Sequence, residues 1–179
     1  MIRFGTALII ATVLYCSMSM SLSLSKHTMN GGGRLAFPMS IDRENEFKLQ
    51  LNIAPYFGIF LIDNLELRQK FELETVVISS PRNIVSAPVL WGTSTVAIYY
   101  FNTSFRLYPY VGGGLGIKIM DWNLFSLNFA WEIPVGTLIE LNENMALDVG
   151  LVIEGLMSLR SAAEKVSFTP AFFGFRYFF

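Results

Sequence analysis

The sequence predicts an all-β protein, a closed barrel of eight antiparallel strands. Three observations predict it. From Met29 onward the dominant period of hydrophobicity is two, the period of a strand. The chain is 53% hydrophobic and 15% charged, against about a quarter charged in soluble proteins. Yet no stretch beyond the N-terminus offers the ~20 consecutive apolar residues of a membrane helix. Apolar residues spread over alternate positions suit a strand that faces lipid on one side only.

Eight segments carry the pattern: 29–41, 47–61, 65–79, 94–101, 106–120, 124–140, 145–158 and 166–179. Most exceed the ~9–11 residues of a tilted membrane strand. The third is the clearest. Leu65, Leu67, Phe71, Leu73 and Val77 fall on one face, and Glu66, Arg68, Lys70, Glu72 and Glu74 on the other. A strand separates such sets, whereas a helix scatters them. In the second segment Leu49, Leu51, Ile53 and Phe57 oppose Lys48, Gln50, Asn52 and Tyr56. In the fifth, Leu107, Val111, Leu115, Ile117 and Ile119 oppose Arg106, Tyr108, Tyr110, Lys118 and glycines 112, 114 and 116. In the sixth, Phe125, Leu127, Phe129, Trp131, Ile133 and Val135 oppose Ser126, Asn128, Glu132 and Glu140. The fourth segment alternates poorly, and Gln69 breaks the apolar face of the third.

Ile62-Asp63-Asn64, Asn102-Thr103-Ser104 and Leu141-Asn142-Glu143-Asn144 read as tight polar turns. The other connections are 42–46, 80–93, 121–123 and 159–165. Bacterial barrels have short periplasmic turns and longer external loops, which assigns the first set, and both termini, to the periplasm. Ser80 to Thr93 is apolar for a surface loop, through Ile84, Val85, Val89, Leu90 and Trp91. It either contacts a partner, folds over the rim, or in its second half extends the fourth strand.

The first 25 residues read as a signal peptide and 26–179 as the barrel. Arg3 supplies a positive start, Ala7 to Tyr15 a short apolar run, and serines 17, 19, 21, 23 and 25 the small residues that follow. That apolar run is too short to span a bilayer. The expected cut falls after Ser23 or Ser25. Cys16 offers an alternative as a lipidated cysteine, although Tyr15 before it is bulky for such a site. With Cys16 the only cysteine, no intramolecular disulfide forms.

Alternation does not say whether the apolar face points in, as in a soluble ligand-binding barrel, or out. Phe173, Phe175, Tyr177 and Phe179 occupy alternate positions up to the last residue. Such a row suits the aromatic girdle at a membrane interface. The ending Phe172-Phe173-Gly174-Phe175-Arg176-Tyr177-Phe178-Phe179 resembles the C-terminal signal that the bacterial barrel-assembly machinery recognises, with Gly174, Tyr177 and Phe179 as the matching positions. Phe172 stands where that signal usually has a polar residue. Arg106-Leu107-Tyr108-Pro109-Tyr110-Val111-Gly112-Gly113-Gly114-Leu115-Gly116 resembles a strand of the small OmpA-like and OmpW-like barrels. The resemblance implies an integral protein of the Gram-negative outer membrane, with the lipids and the assembly machinery as partners. It implies no single activity, because one fold hosts many functions.

With the apolar face outward, the lumen receives Arg34, Lys48, Arg68, Lys70, Arg106, Lys118 and Arg176 together with Glu66, Glu72, Glu74, Glu132, Glu140, Asp148 and Glu154, seven of each sign. Eight strands enclose a space that side chains can fill. Lone buried charges cost several kcal/mol, so equal numbers of both signs favour a paired plug over an open polar pore. Glu72 with Glu74, or Glu132 with Glu154, are candidate acid/base pairs, but the cations beside them favour ionisation of both members. Histidine, the usual base that activates a serine, occurs only as His27, ahead of the first strand. No enzyme is expected. No cysteine or histidine cluster suits a transition metal, and no cofactor is expected; a carboxylate-only cation site stays open. Gly31-Gly32-Gly33 and Gly112-Gly113-Gly114 lack the following Lys-Ser/Thr of a phosphate loop. A net charge of −1 argues against nucleic acid. The sequence therefore supports a monomeric barrel with a filled lumen and a structural or interaction role, the alternative being a narrow channel or carrier for small or apolar solutes.

Overall fold

The computed structural model describes residues 22–41, 47–79, 90–103, 105–119, 127–158 and 164–179. Nine extended segments follow one another: β1 (Met29–Ala36), β2 (Met39–Ile41), β3 (Phe47–Ile62), β4 (Leu65–Ser79), β5 (Leu90–Tyr100), β6 (Leu107–Ile119), β7 (Leu127–Asn142), β8 (Met145–Ser158) and β9 (Glu164–Phe178). β1 and β2 share one strand position. Each lies between β3 and β9, and the break falls at Phe37-Pro38. Proline has no N–H to give to a ladder, but its carbonyl still works: Gln50 N–H donates to Pro38 O at 3.0 Å. From β3 to β9 every neighbour pairs antiparallel, and β1–β9 pairing closes the sheet. The result is a closed eight-stranded barrel with no open edge, the condition lipid imposes on a sheet.

Burial alternates along each strand as the side-chain period demands. On β3, Gln50, Asn52, Ala54, Tyr56, Gly58 and Phe60 are buried and the residues between them are not. The outer face carries Ile53, Phe57, Leu67, Phe71, Leu115, Ile117, Phe129, Ile133, Ile153, Phe168, Phe173 and Phe175, all exposed. A continuous apolar exterior of this extent fits a bilayer as solvent.

β5 starts at Leu90, four residues before the expected 94, so Leu90 and Trp91 belong to a strand. Ile84, Val85 and Val89 lie outside the described residues, as do the connections 42–46, 80–89, 120–126 and 159–163. Residue 106 precedes β6 rather than opening it. β9 contains a phase change that simple alternation misses. Gly150 pairs with Phe172 but Val152 with Thr169, so Pro170 and Ala171 together oppose Leu151. This bulge sits at a proline, as bulges often do. It puts Thr169 and then Phe172, Gly174, Arg176 and Phe178 inside.

The hairpins β3–β4 and β7–β8 turn through Asp63-Asn64 and Glu143-Asn144. Both use one device. The register slips by one residue just before the turn, between Phe60 and Ile62 and between Glu140 and Asn142. Asn64 takes a left-handed φ of 65°, which asparagine tolerates better than most residues. Asn144 ties its turn to the end of β9: Phe178 N–H donates to Asn144 O at 2.7 Å, and Asn144 Nδ2 donates to Phe178 O at 3.0 Å. These turns, and residues 101–103 and 105–106 between β5 and β6, lie at the end of the barrel that carries the described N-terminal segment and Phe179.

Candidate functional site: the charged lumen

The inward positions of β3, β4, β8 and β9 build the first of two charge clusters. Arg176 spans it. Its Nη1 lies 2.8 Å from Glu66 Oε2, and its Nη2 lies 2.7 Å from Asp148 Oδ2. Arg68 grips Glu66 with two nitrogens, Nε to Oε1 at 3.1 Å and Nη2 to Oε2 at 3.2 Å. It also stands 3.7 Å from Asp148. Two anions therefore meet two cations, the fork geometry that makes arginine–carboxylate pairs strong.

Three tyrosines complete this cluster. Tyr110 donates to Asp148 Oδ1 at 2.6 Å. Tyr100 donates to Glu66 and accepts from Arg68 at 3.0 Å and from Arg176 at 2.5 Å. Tyr56 accepts from Arg176 Nε at 3.3 Å and lies under the Arg68 guanidinium, 4.4 Å from ring centre to Cζ. Every polar partner is buried. Glycines opposite make room for the rings. A Cβ on Gly32 would stand 2.7 Å from Tyr56 OH, and one on Gly136 would stand 2.6 Å from Tyr110 OH.

The second cluster lies further from the termini. Glu72 is its hub, with Lys70 Nζ at 2.6 Å, Lys118 Nζ at 2.7 Å and Arg34 Nη2 at 3.3 Å. Lys70 also reaches Glu132 at 2.5 Å, and Ser94 Oγ donates to the other Glu132 oxygen at 2.7 Å. Lys118 pairs with Glu154 and stands 3.5 Å from Glu74. Arg34 in addition stacks over Phe172 at 5.0 Å. Three cations thus face four carboxylates here. Between Glu72, Ser94, Gly116, Lys118, Glu132 and Glu154 a cavity of about 10 Å³ remains, space for about one water.

Of the fourteen residues the sequence assigns to the lumen, these clusters hold Arg34, Glu66, Arg68, Lys70, Glu72, Glu74, Lys118, Glu132, Asp148, Glu154 and Arg176. Glu140 sits apart, near the terminal end, where Tyr108 OH donates to it at 3.1 Å. Arg106 is half-buried in the bend before β6, and its carbonyl accepts the Glu140 N–H. Lys48 belongs to β3, but its side chain lies outside the described residues. Every member of the candidate acid/base pairs has a cation: Lys118 contacts both Glu72 and Glu74, and Glu132 faces Glu154 across β7–β8 with Lys70 on one and Lys118 on the other. Among the described residues no group of three or more metal-ligating side chains is arranged to hold a metal ion.

On the lumen side, glycines 112, 114 and 116 leave no groove. A Cβ at each would strike Ile98 and Pro134, Val96 and Glu132, or Ser94. Apolar side chains fill the lumen beside the charges: Phe60, Ile98, Leu138, Ala146 and Phe178 in its terminal half, and Val152 and Phe172 between the levels of Asp148 and Glu154. The sequence pattern missed these, and it missed Tyr100 as a charge partner. Of the assembly-signal positions, Gly174 faces inward, where a Cβ would stand 2.8 Å from Gly33 O. Tyr177 and Phe179 face outward, their rings 5.9 Å apart.

No protein-family model matches the chain, and neither does any curated protein. Solved structures do. Neisserial surface protein A is similar at 16% identity and a TM-score of 0.68, over 85% of this chain and 97% of that one. The N-terminal β-barrel domain of Pseudomonas aeruginosa OprF is similar at 20% identity and 0.56, over 86% and 98%. A designed transmembrane β-barrel matches at 13% and 0.52, over 88% and 100%. The fold is thus that of the small eight-stranded outer-membrane barrels.

Proposed function

We propose that the chain is an integral outer-membrane protein whose lumen is closed by paired charges, and that it acts as a structural or interaction barrel rather than as a channel or an enzyme. The observation that carries this reading is the Arg176 bridge, which links Glu66 on β4 to Asp148 on β8 through the centre of the lumen. Solute passing along the axis would have to break that bridge. A buried charge stripped of its partner is destabilised by several kcal/mol, so the closed arrangement dominates. The short hairpins and both termini face the periplasm in this reading, the protein is a monomer, and the apolar exterior meets lipid. The barrel-assembly machinery inserts it through the ending that contains Gly174, Tyr177 and Phe179. The carboxylates of the two clusters serve cations of the same lumen, which leaves none of those placed as a free acid or base.

Purified protein in planar bilayers tests the reading. The expected record shows no large, steady conductance; brief flickers fit pairs that break and reform. A stable open state with ion selectivity would establish the narrow-channel alternative instead.

A further inference from the structure

Residues 22–28 precede β1 and are built into the terminal mouth of the barrel. Leu22 and Leu24 are buried there, in the apolar cluster that includes Phe60, Tyr100 and Leu138. Backbone bonds hold the segment to the β3–β4 hairpin. Asn64 N–H donates to Leu24 O at 2.9 Å, Lys26 N–H to Asp63 Oδ1 at 2.8 Å, and His27 N–H to Phe60 O at 2.8 Å. Ser23 and Ser25 point to solvent.

At the start of this segment stands Glu140. Its carboxylate is only 5% exposed. Oε2 accepts from Leu22 N at 3.2 Å and from Tyr108 OH at 3.1 Å, while Oε1 is buried with no hydrogen-bond partner among the described residues. Leaving a buried carboxylate oxygen unsatisfied is unfavourable. A peptide N–H at Leu22 has one proton to donate; a chain terminus there has three and a positive charge.

The sequence permits such a terminus. Signal peptidases cut after a small residue that follows another small residue two places earlier. Ser19-Met20-Ser21 meets this rule at the Ser21–Leu22 bond, just as Ser21-Leu22-Ser23 and Ser23-Leu24-Ser25 do at theirs. The packing separates the three. A cut after Ser23 removes the buried Leu22 and its bond to Glu140, and a cut after Ser25 removes Leu24 as well.

We propose that the mature chain begins at Leu22 and that its α-ammonium group is the charge partner of Glu140, locking the N-terminal segment into the mouth. Water adds across the Ser21–Leu22 amide. The acyl side leaves as the Ser21 carboxylate, and the nitrogen remains on Leu22 and is protonated. The ammonium then reaches both Glu140 oxygens. Arg106, whose carbonyl already accepts Glu140 N–H at 2.9 Å, flanks the pair from the bend before β6. This goes beyond the closed lumen: it names the processing site and the charge that anchors the new end.

The test starts with the intact mass of the folded protein extracted from outer membranes. The expected mass is that of residues 22–179 without modification. The mass of 24–179 or 26–179, of an uncut chain, or of a chain acylated at Cys16 overturns the site. An amine-reactive reagent then probes the folded barrel, with the exposed Lys26 as internal reference. The Leu22 amine should label at least about tenfold more slowly than Lys26, because it reacts only on local opening. Glu140→Gln should remove most of that protection while the first residue, read from the mass, remains Leu22. Equal labelling of Leu22 and Lys26 in the wild-type protein overturns the ion pair, whether or not the variant folds.

Discussion

Arg176 Nη2 lies 2.7 Å from Asp148 Oδ2, and the same guanidinium reaches Glu66 at 2.8 Å from a strand three positions around the barrel. The contact is diagonal. In the β8–β9 register Arg176 sits opposite Ala146, and Asp148 opposite Gly174. Both partners therefore lean into space that an alanine and a glycine leave free. A bond of this kind ties distant walls together, where a ladder hydrogen bond ties only neighbours.

Removing that arginine should be severe. Arg176→Met leaves Glu66 and Asp148 with Arg68 as their remaining cation, inside a site that excludes water. Breaking a buried pair from one side costs about 3–5 kcal/mol. Urea unfolding in lipid vesicles should show a loss in that range. A variant as stable as the parent would mean that Arg68 alone satisfies both carboxylates.

The turn at Asn64 gives a milder and more local effect. Its φ of 65° suits glycine and asparagine, and Asn64 O also accepts Tyr100 N–H at 2.9 Å. Asn64→Gly should be close to neutral. Asn64→Val should lose roughly 1–2 kcal/mol, because a β-branched side chain is strained in the left-handed region. The two variants compared by thermal gel-shift midpoint check this, and equal midpoints would refute it.

Much of this architecture was legible because two periodicities coincide, that of the pleat and that of polarity. Where they part, the pattern failed. β5 reads poorly because its inner face carries Val96 and Ile98 and its outer face Thr93 and Thr95, the reverse of the usual polarity. Gln69 explains the outer threonines. Its Nε2 donates to Thr93 Oγ1 and its Oε1 accepts from Thr95 Oγ1, each at 2.7 Å. The polar groups on that face satisfy one another across the strand pair, and no single-strand pattern displays that. The inward charges were visible as a set, but their division into two clusters depends on register. The burial of Leu22 and Leu24 was hidden for another reason: both lie within the stretch that reads as export signal.

Phe179 has two separable roles to test. In the assembly reading its ring is part of a recognition signal. In the folded barrel its backbone helps close the sheet: Phe179 N–H donates to Met29 O at 3.0 Å and Met29 N–H to Phe179 O at 3.3 Å. Phe179→Ala keeps those bonds and removes only an exposed ring. It should lower the amount of barrel assembled in cells while the purified, refolded protein stays within about 0.5 kcal/mol of the parent, as surface substitutions usually do. Normal assembly with lowered stability would reverse the assignment.

The last prediction separates a hub from a more weakly paired charge on one strand. Glu72 and Glu74 share the inner face of β4, two residues apart, and one substitution to glutamine neutralises either. Glu72 holds three cations within 3.3 Å. Glu74 has Lys118 at 3.5 Å and sits nearer the end of the strand. Glu72→Gln therefore leaves Lys70, Lys118 and Arg34 to crowd round Glu132 and Glu154, and the mutual repulsion of the cations is no longer offset. A partial replacement of this kind, which keeps size and one acceptor, should cost about 2–4 kcal/mol, towards the lower end for a broken buried pair. Glu74→Gln should cost less, about 1 kcal/mol, since its pair with Lys118 is longer at 3.5 Å and the amide keeps one acceptor. It also relieves part of the excess of four carboxylates over three cations in this cluster. The double variant discriminates further. If the two carboxylates compete for Lys118, each single loss is partly compensated by the other carboxylate, and the double variant will lose more than the sum of the singles, with a coupling of at least about 0.5 kcal/mol. Equal losses for the two single variants would place the centre of the cluster on Lys118 rather than on Glu72.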